Sequence, residues 1–217
     1  MASSSKLRFF TLFLIPLTAL MISCSQSGPD IKSVLPSIVF EYFSEDAKPI
    51  SRLSVFVESQ SNVRRYDTME VIHEKRNYIW EIDDPNQILL RGKMYLGNSN
   101  LKVPEGEQIP DGKYKIVCYE KDEDSTDSTF YLNYDKALYD LSVSEVPDFI
   151  KRKGGRHFIS IFNSKNIMIY YGERTEELNT VRKVFGQYPE ASYFYDIWKR
   201  GDDSVICVMP RTEVTPS

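Results

Sequence analysis

From residue 38 to residue 134, apolar and polar side chains alternate with a period of two. Ile38-Val39-Phe40-Glu41-Tyr42-Phe43 opens the pattern, and Asp46 to Pro49 turns it. Leu53, Val55 and Val57 alternate with Ser54, Phe56 and Glu58, and Met69, Val71 and His73 alternate with Glu70, Ile72 and Glu74. Tyr78, Trp80 and Ile82 share one side, Ile79 and Glu81 the other, and Asp83-Asp84-Pro85-Asn86 is a strong turn. Ile88 to Leu96 reads as one extended segment interrupted by Gly92. Tyr114, Ile116 and Cys118, then Phe130, Leu132 and Tyr134, form the inward sets of two more strands. Such spacing of short strands predicts a β-sandwich or barrel of immunoglobulin or fibronectin type, with Trp80 in its core.

After Asp135 the period changes. Ser144-Glu145-Val146-Pro147 predicts a helix capped by Ser144, with Val146, Phe149 and Ile150 on one face and Gly154-Gly155 ending it. Phe158 to Phe162 and Ile167 to Tyr171 flank Asn163-Ser164-Lys165-Asn166, a hairpin signature. Thr175 with Glu176 and Glu177 opens a second predicted helix whose stripe is Leu178, Val181, Val184 and Phe185. The stripe continues past Pro189 through Phe194, Ile197 and Trp198 to a stop at Gly201, and Ser204 to Met209 is a last strand. The expectation is thus a mainly β chain with an α+β C-terminal part: a sandwich over 35–136, then a helix-hairpin-helix-strand domain over 137–217.

Asp111-Gly112-x-Tyr114 resembles the tyrosine corner of such sandwiches, whose phenol bonds back to main chain. The cysteine two residues beyond that tyrosine in immunoglobulin domains is absent, since Cys118 lies four beyond, which leaves a general sandwich. The N-terminal 1–23 reads as a cleaved signal peptide. Lys6 and Arg8 supply a positive flank, Phe9 to Ile22 an apolar run too short to span a bilayer, and Met21-Ile22-Ser23-Cys24 the close. The run resembles the lipobox of bacterial lipoproteins. That likeness implies cleavage between Ser23 and Cys24 and acylation of Cys24, including palmitate, whose buried methylenes each contribute ~0.8 kcal/mol of membrane attachment. Residues 24–34, with Gly28-Pro29, would then be a lipidated tether.

Arg65-x-x-x-Met69-x-Val71-x-His73, Tyr78-x-Trp80, Leu96-Gly97-Asn98-Ser99-Asn100-Leu101 and Ile109-Pro110-Asp111-Gly112-x-Tyr114 resemble a group of treponemal (spirochaete) exported lipoproteins. The resemblance implies location and a sandwich domain, and no activity. The formal charge is −4, before the basic residues of the signal are removed. That balance argues against nucleic acid as a partner and against an electrostatic grip on lipid, leaving acyl chains on Cys24 as the membrane attachment.

No arrangement of residues announces catalysis. The two histidines, His73 and His157, lack a paired nucleophile motif and read as structural or surface residues. Asp122-Glu123-Asp124-Ser125-Thr126-Asp127 lacks the ligand pattern of a calcium loop and reads as a solvated hairpin tip. No zinc ligand spacing occurs, and Gly154-Gly155-Arg156 lacks the setting of a phosphate loop. Neither a metal nor a cofactor is expected. Cys118 and Cys207 fall in strand-like runs and read as buried free thiols, with a bridge between them the alternative. Tyr171, Tyr193 and Tyr195 form a candidate recognition patch, because tyrosine offers rigid amphipathic contact area. The expectation is a non-enzymatic envelope lipoprotein, on the outer membrane because Ser25 follows Cys24, that binds a protein partner or serves as scaffold. The alternative is a lipid-anchored hydrolase of wall polymers.

Overall fold

A computed structural model describes residues 31–59, 65–76, 78–121 and 124–214. The lipobox, with Ser23 and Cys24, lies outside the described residues. Twelve strands appear among the described residues: β1 (Ile31–Glu41), β2 (Ile50–Ser59), β3 (Tyr66–His73), β4 (Ile79–Ile82), β5 (Asn86–Leu90), β6 (Lys93–Leu101), β7 (Gly112–Glu120), β8 (Ser125–Leu132), β9 (Arg156–Asn163), β10 (Met168–Glu173), β11 (Ala191–Lys199) and β12 (Val205–Glu213). Two short helices, α1 (Val146–Arg152) and α2 (Val181–Gln187), accompany them. The strands form an eight-stranded sheet in the order β10-β9-β11-β12-β1-β2-β6-β5 and a four-stranded sheet in the order β4-β3-β7-β8.

The alternation read from the sequence is what lets the two sheets pack. Ile38, Phe40, Leu53, Val55, Val57 and Leu96 from the large sheet meet Met69, Val71, Tyr114, Ile116, Cys118, Phe130 and Leu132 from the small one, all buried in one cluster. Burying such side chains contributes about 1.5–3 kcal/mol each. Tyr114 makes the anticipated corner: its hydroxyl donates to the Pro110 carbonyl oxygen at 2.5 Å while the ring stacks on Phe130 at 5.0 Å. Tyr114→Phe keeps the ring and strands that carbonyl, so chemical denaturation is expected to show a loss of about 1–3 kcal/mol. Trp80 sits at the rim of this core, stacked on Tyr78 and Tyr114, and its indole N–H donates to the Lys102 carbonyl at 2.6 Å.

Several expectations change in the structure. The 24–34 tether is already strand from Ile31 onward, because Val34 pairs with Val57 in β2. The segment 88–96 is two strands, folded back at Arg91 (φ 52°) and Gly92 (φ 78°). Positive φ at both central positions defines the tight turn whose twist matches the flanking strands. The first C-terminal helix is capped by Glu145 rather than Ser144, and the Glu145 carboxylate accepts from the Ser142 N–H and hydroxyl. Those bonds hold the Glu145 carboxyl below its usual range.

The largest change concerns residues 191–199, which form strand β11 and not the continuation of a helix. Phe194, Ile197 and Trp198 fall at helical spacing, but β9 and β12 pair with the segment on both sides, and that pairing makes it a strand. Helix α2 stops at Gln187, before Pro189, with Thr180 accepting from the Lys183 N–H as its cap. Thr175 leads only a 3-10 turn, Glu176–Leu178. The strands after residue 137 therefore extend the sheet that β1 and β2 begin, with β12 lying parallel to β1 (Phe40 opposite Cys207). A second apolar cluster (Ile159, Ile161, Leu178, Val184, Ala191, Phe194 and Val214) fills the space between β9, β11 and α2.

Candidate functional site: the open face of the large sheet

Both clusters, both helices and the small sheet lie on one side of the large sheet. Its other side, at the β10-β9-β11 end, carries aromatic rings. Register places Tyr171 opposite Ser160 and Ser160 opposite Tyr195, with Phe162 opposite Tyr193 in the next row. The three tyrosines anticipated from the sequence thus share a face. Phe158 and Phe162 join them; sequence reading missed both, Phe162 because its ring partners Tyr193 and Tyr195 lie about thirty residues away on β11, and Phe158 because its stacking on Tyr171 depends on the register of the β9–β10 pair.

The rings form two stacked pairs. Phe158 stacks on Tyr171 (centroids 5.8 Å, 15° between planes) and Phe162 on Tyr193 (5.1 Å, 7°), while Tyr195 meets both Phe162 and Tyr193 edge-on. Such pairs contribute about 0.5–1.5 kcal/mol beyond burial. Cations cover them: Lys199 lies 4.8 Å from the Phe158 centroid and Arg211 3.7 Å from that of Tyr193. Each cation is held by its own acid, Lys199 by Asp203 at 2.9 Å and Arg211 by Glu213 at 2.7 Å. The three tyrosines are not equally available. Tyr171 is 48% exposed, Tyr195 partly so, and Tyr193 only 6%, lying under Arg211 with its hydroxyl donating to Asn166 at 3.1 Å. Burial, with Tyr193 beside it, pushes the Tyr195 phenol above its ordinary value.

On the opposite side of the same strands, His157 and Asp196 floor a groove between α1 and the 3-10 turn. His157 Nε2 lies 2.7 Å from Asp196 Oδ1, its ring stacks on Trp198 at 3.9 Å, and Arg174 pairs with the same carboxylate oxygen. Hollows of about 360 and 460 Å³ adjoin the pair. His157 is thus held in place by its neighbours, one of the two states expected of it, and no spacing in the sequence links it to Asp196. His73 is structural as anticipated. Its Nδ1 accepts from the N–H groups of Lys75 and Arg76, and its Nε2 donates to the Asp111 carbonyl at 3.1 Å.

Cys118 and Cys207 are buried free thiols, both pushed up to about 12 by burial. Of the acidic loop, 122–123 lie outside the described residues, and Asp127, already in β8, pairs with Lys115 of β7. Among the described residues no three His, Cys, Asp or Glu side chains converge as a metal site, and no helix is long and apolar enough to cross a membrane.

Fold and face together define a two-sheet β protein with an open, aromatic, cation-covered surface on its larger sheet. No family model and no curated protein matches the chain.

Proposed function

We propose that this chain is a bacterial envelope lipoprotein, cleaved before Cys24 and held to a membrane, the outer membrane in the first instance, by acyl chains on that cysteine. Its folded part is a binding module, and the open face around Phe158, Tyr171 and Tyr195 is its contact surface. The observation that supports binding is that rigid stacked rings lie on the side of the sheet away from both cores. Aromatic side chains with neighbouring arginines are the residue types that dominate binding surfaces. An immunoglobulin- or fibronectin-like kinship for the β1–β8 part rests on the Tyr114 corner, and the spirochaete likeness accords with the same setting.

Two measurements test the proposal. Wild-type cells should incorporate radiolabelled palmitate into the chain, and Cys24→Ala should abolish it; an unlabelled wild type removes the lipoprotein reading. A photo-crosslinking side chain at Tyr171 in intact cells should give a discrete adduct, and the same probe at Tyr131, 71% exposed on the small sheet, should not. Equal adducts at both positions would refute the assigned face.

The second reading, a lipid-anchored hydrolase acting on wall polymers, draws on the His157–Asp196 pair in its groove. It requires release of soluble wall fragments by the wild type and loss of release in a folded His157→Ala variant.

A further inference from the structure

Strand β5 closes one side of the large sheet, pairing among the described residues with β6 alone, and all five of its residues are exposed. Leu89 is 70% exposed and Leu90 43%, with Ile88 and Met94 beside them. Exposed apolar edges are a template for another strand, and folded proteins ordinarily blunt them. The two-residue turn at Arg91–Gly92 makes Leu90 and Lys93 a hydrogen-bonded pair. By alternation the N–H and C=O groups of Ile88 also face β6, and those of Gln87 and Leu89 face outward with no strand to meet.

The charges flanking this edge indicate what meets it. Asp83 and Asp84 precede β5 and Arg91 follows it. All three are exposed, and none has a hydrogen bond or ion pair among the described residues. Acids at one end and a cation at the other complement an antiparallel copy of the same strand.

We infer that two copies of this chain associate through β5, antiparallel about a twofold axis at Ile88, joining their large sheets into one. In that register Gln87 of one copy hydrogen-bonds Leu89 of the second, and Ile88 faces Ile88. Arg91 falls against the turn carrying Asp83 and Asp84 of the second copy, and the match occurs twice. Ile88 covers Ile88 directly, while Leu89 lies beside Gln87 and Leu90 beside Asn86 of the second copy.

The test uses the full chain with Cys24→Ser. Ile88→Cys sits on the axis, where non-hydrogen-bonded neighbours have Cα atoms about 4.5 Å apart, within disulfide range. Mild oxidation should give a disulfide-linked dimer in high yield, and Tyr131→Cys on the small sheet should not. Cys118 and Cys207 are buried and leave the background silent. In sedimentation without oxidation, Arg91→Asp or Asp84→Arg alone should weaken the dimer at least about tenfold, and the two together should restore it. A monomer at every concentration, equal cross-linking at both cysteines, or no rescue by the double reversal would each overturn the proposal. A strand of a different protein captured on this edge, with the chain itself monomeric, would do so equally.

Discussion

Raising the pH past about 10 is expected to unfold this chain within one or two pH units. Tyr42, Tyr114 and Tyr134 are buried, and burial pushes their phenols well above the usual range near 10. Each donates its hydroxyl proton to a main-chain carbonyl, those of Leu138, Pro110 and Ile109. Cys118 and Cys207 add two thiols pushed up to about 12. In the unfolded chain these groups ionise near their ordinary values, about 8.5 for thiol and 10 for phenol. The folded state therefore holds protons that the unfolded state has released, and stability falls as pH rises through this window. Below pH 8 neither state ionises them and the effect vanishes. Each group removes about 1.4 kcal/mol per pH unit once its unfolded form titrates, so the five together remove about 7. Against a typical total of 5–15 kcal/mol, that is decisive. The share of phenolate absorbance that belongs to these three buried tyrosines should appear in the same step in which far-ultraviolet dichroism is lost. Gradual ionisation of all tyrosines with the dichroism intact would contradict this.

Gly97→Ala should be the most damaging single-methyl substitution in the large sheet. Gly97 lies in β6 opposite Phe56 of β2. A Cβ there would come within 2.7 Å of Phe56 Cα and 2.8 Å of its ring, and closer still to the Val55 carbonyl oxygen. Two of the three obstacles are backbone, so no rotamer change relieves them. The strands must separate or the sheet must bend. Overpacking costs about 1–3 kcal/mol where side chains can yield, so about 3 kcal/mol or more is expected here, read as a lowered urea midpoint. Gly186→Ala, where a Cβ meets nothing within 4 Å, is the matched control and should change stability little.

The sequence carried the strands whose one face is buried and whose other face meets water, since that asymmetry writes a period of two into the chain. Leu53-Ser54-Val55-Phe56-Val57 and Met69-Glu70-Val71-Ile72-His73 are legible for this reason, and the Tyr114 corner follows from Asp111-Gly112. Strand β11 was not legible. It carries large side chains on both faces, Phe194 and Trp198 toward the cores and Tyr193 and Tyr195 toward the open side, so its polarity does not alternate. Its identity is fixed by β9 and β12, which no local window contains. The same holds for the site. Three tyrosines could be named, but Phe158 and Phe162, the burial of Tyr193 and the pairing of His157 with Asp196 depend on cross-strand register.

The parallel contact between β1 and β12 has a consequence for how the molecule is made. These strands occupy the middle of the large sheet yet lie more than 160 residues apart in the chain. Until residues 205–213 arrive, β1 has no hydrogen-bonded neighbour in its sheet other than β2, and the aromatic end has no seam to join. The last strand is a keystone. A chain cut short before it should leave two separate half-sheets, each exposing an unfinished border, rather than a slightly smaller version of the protein.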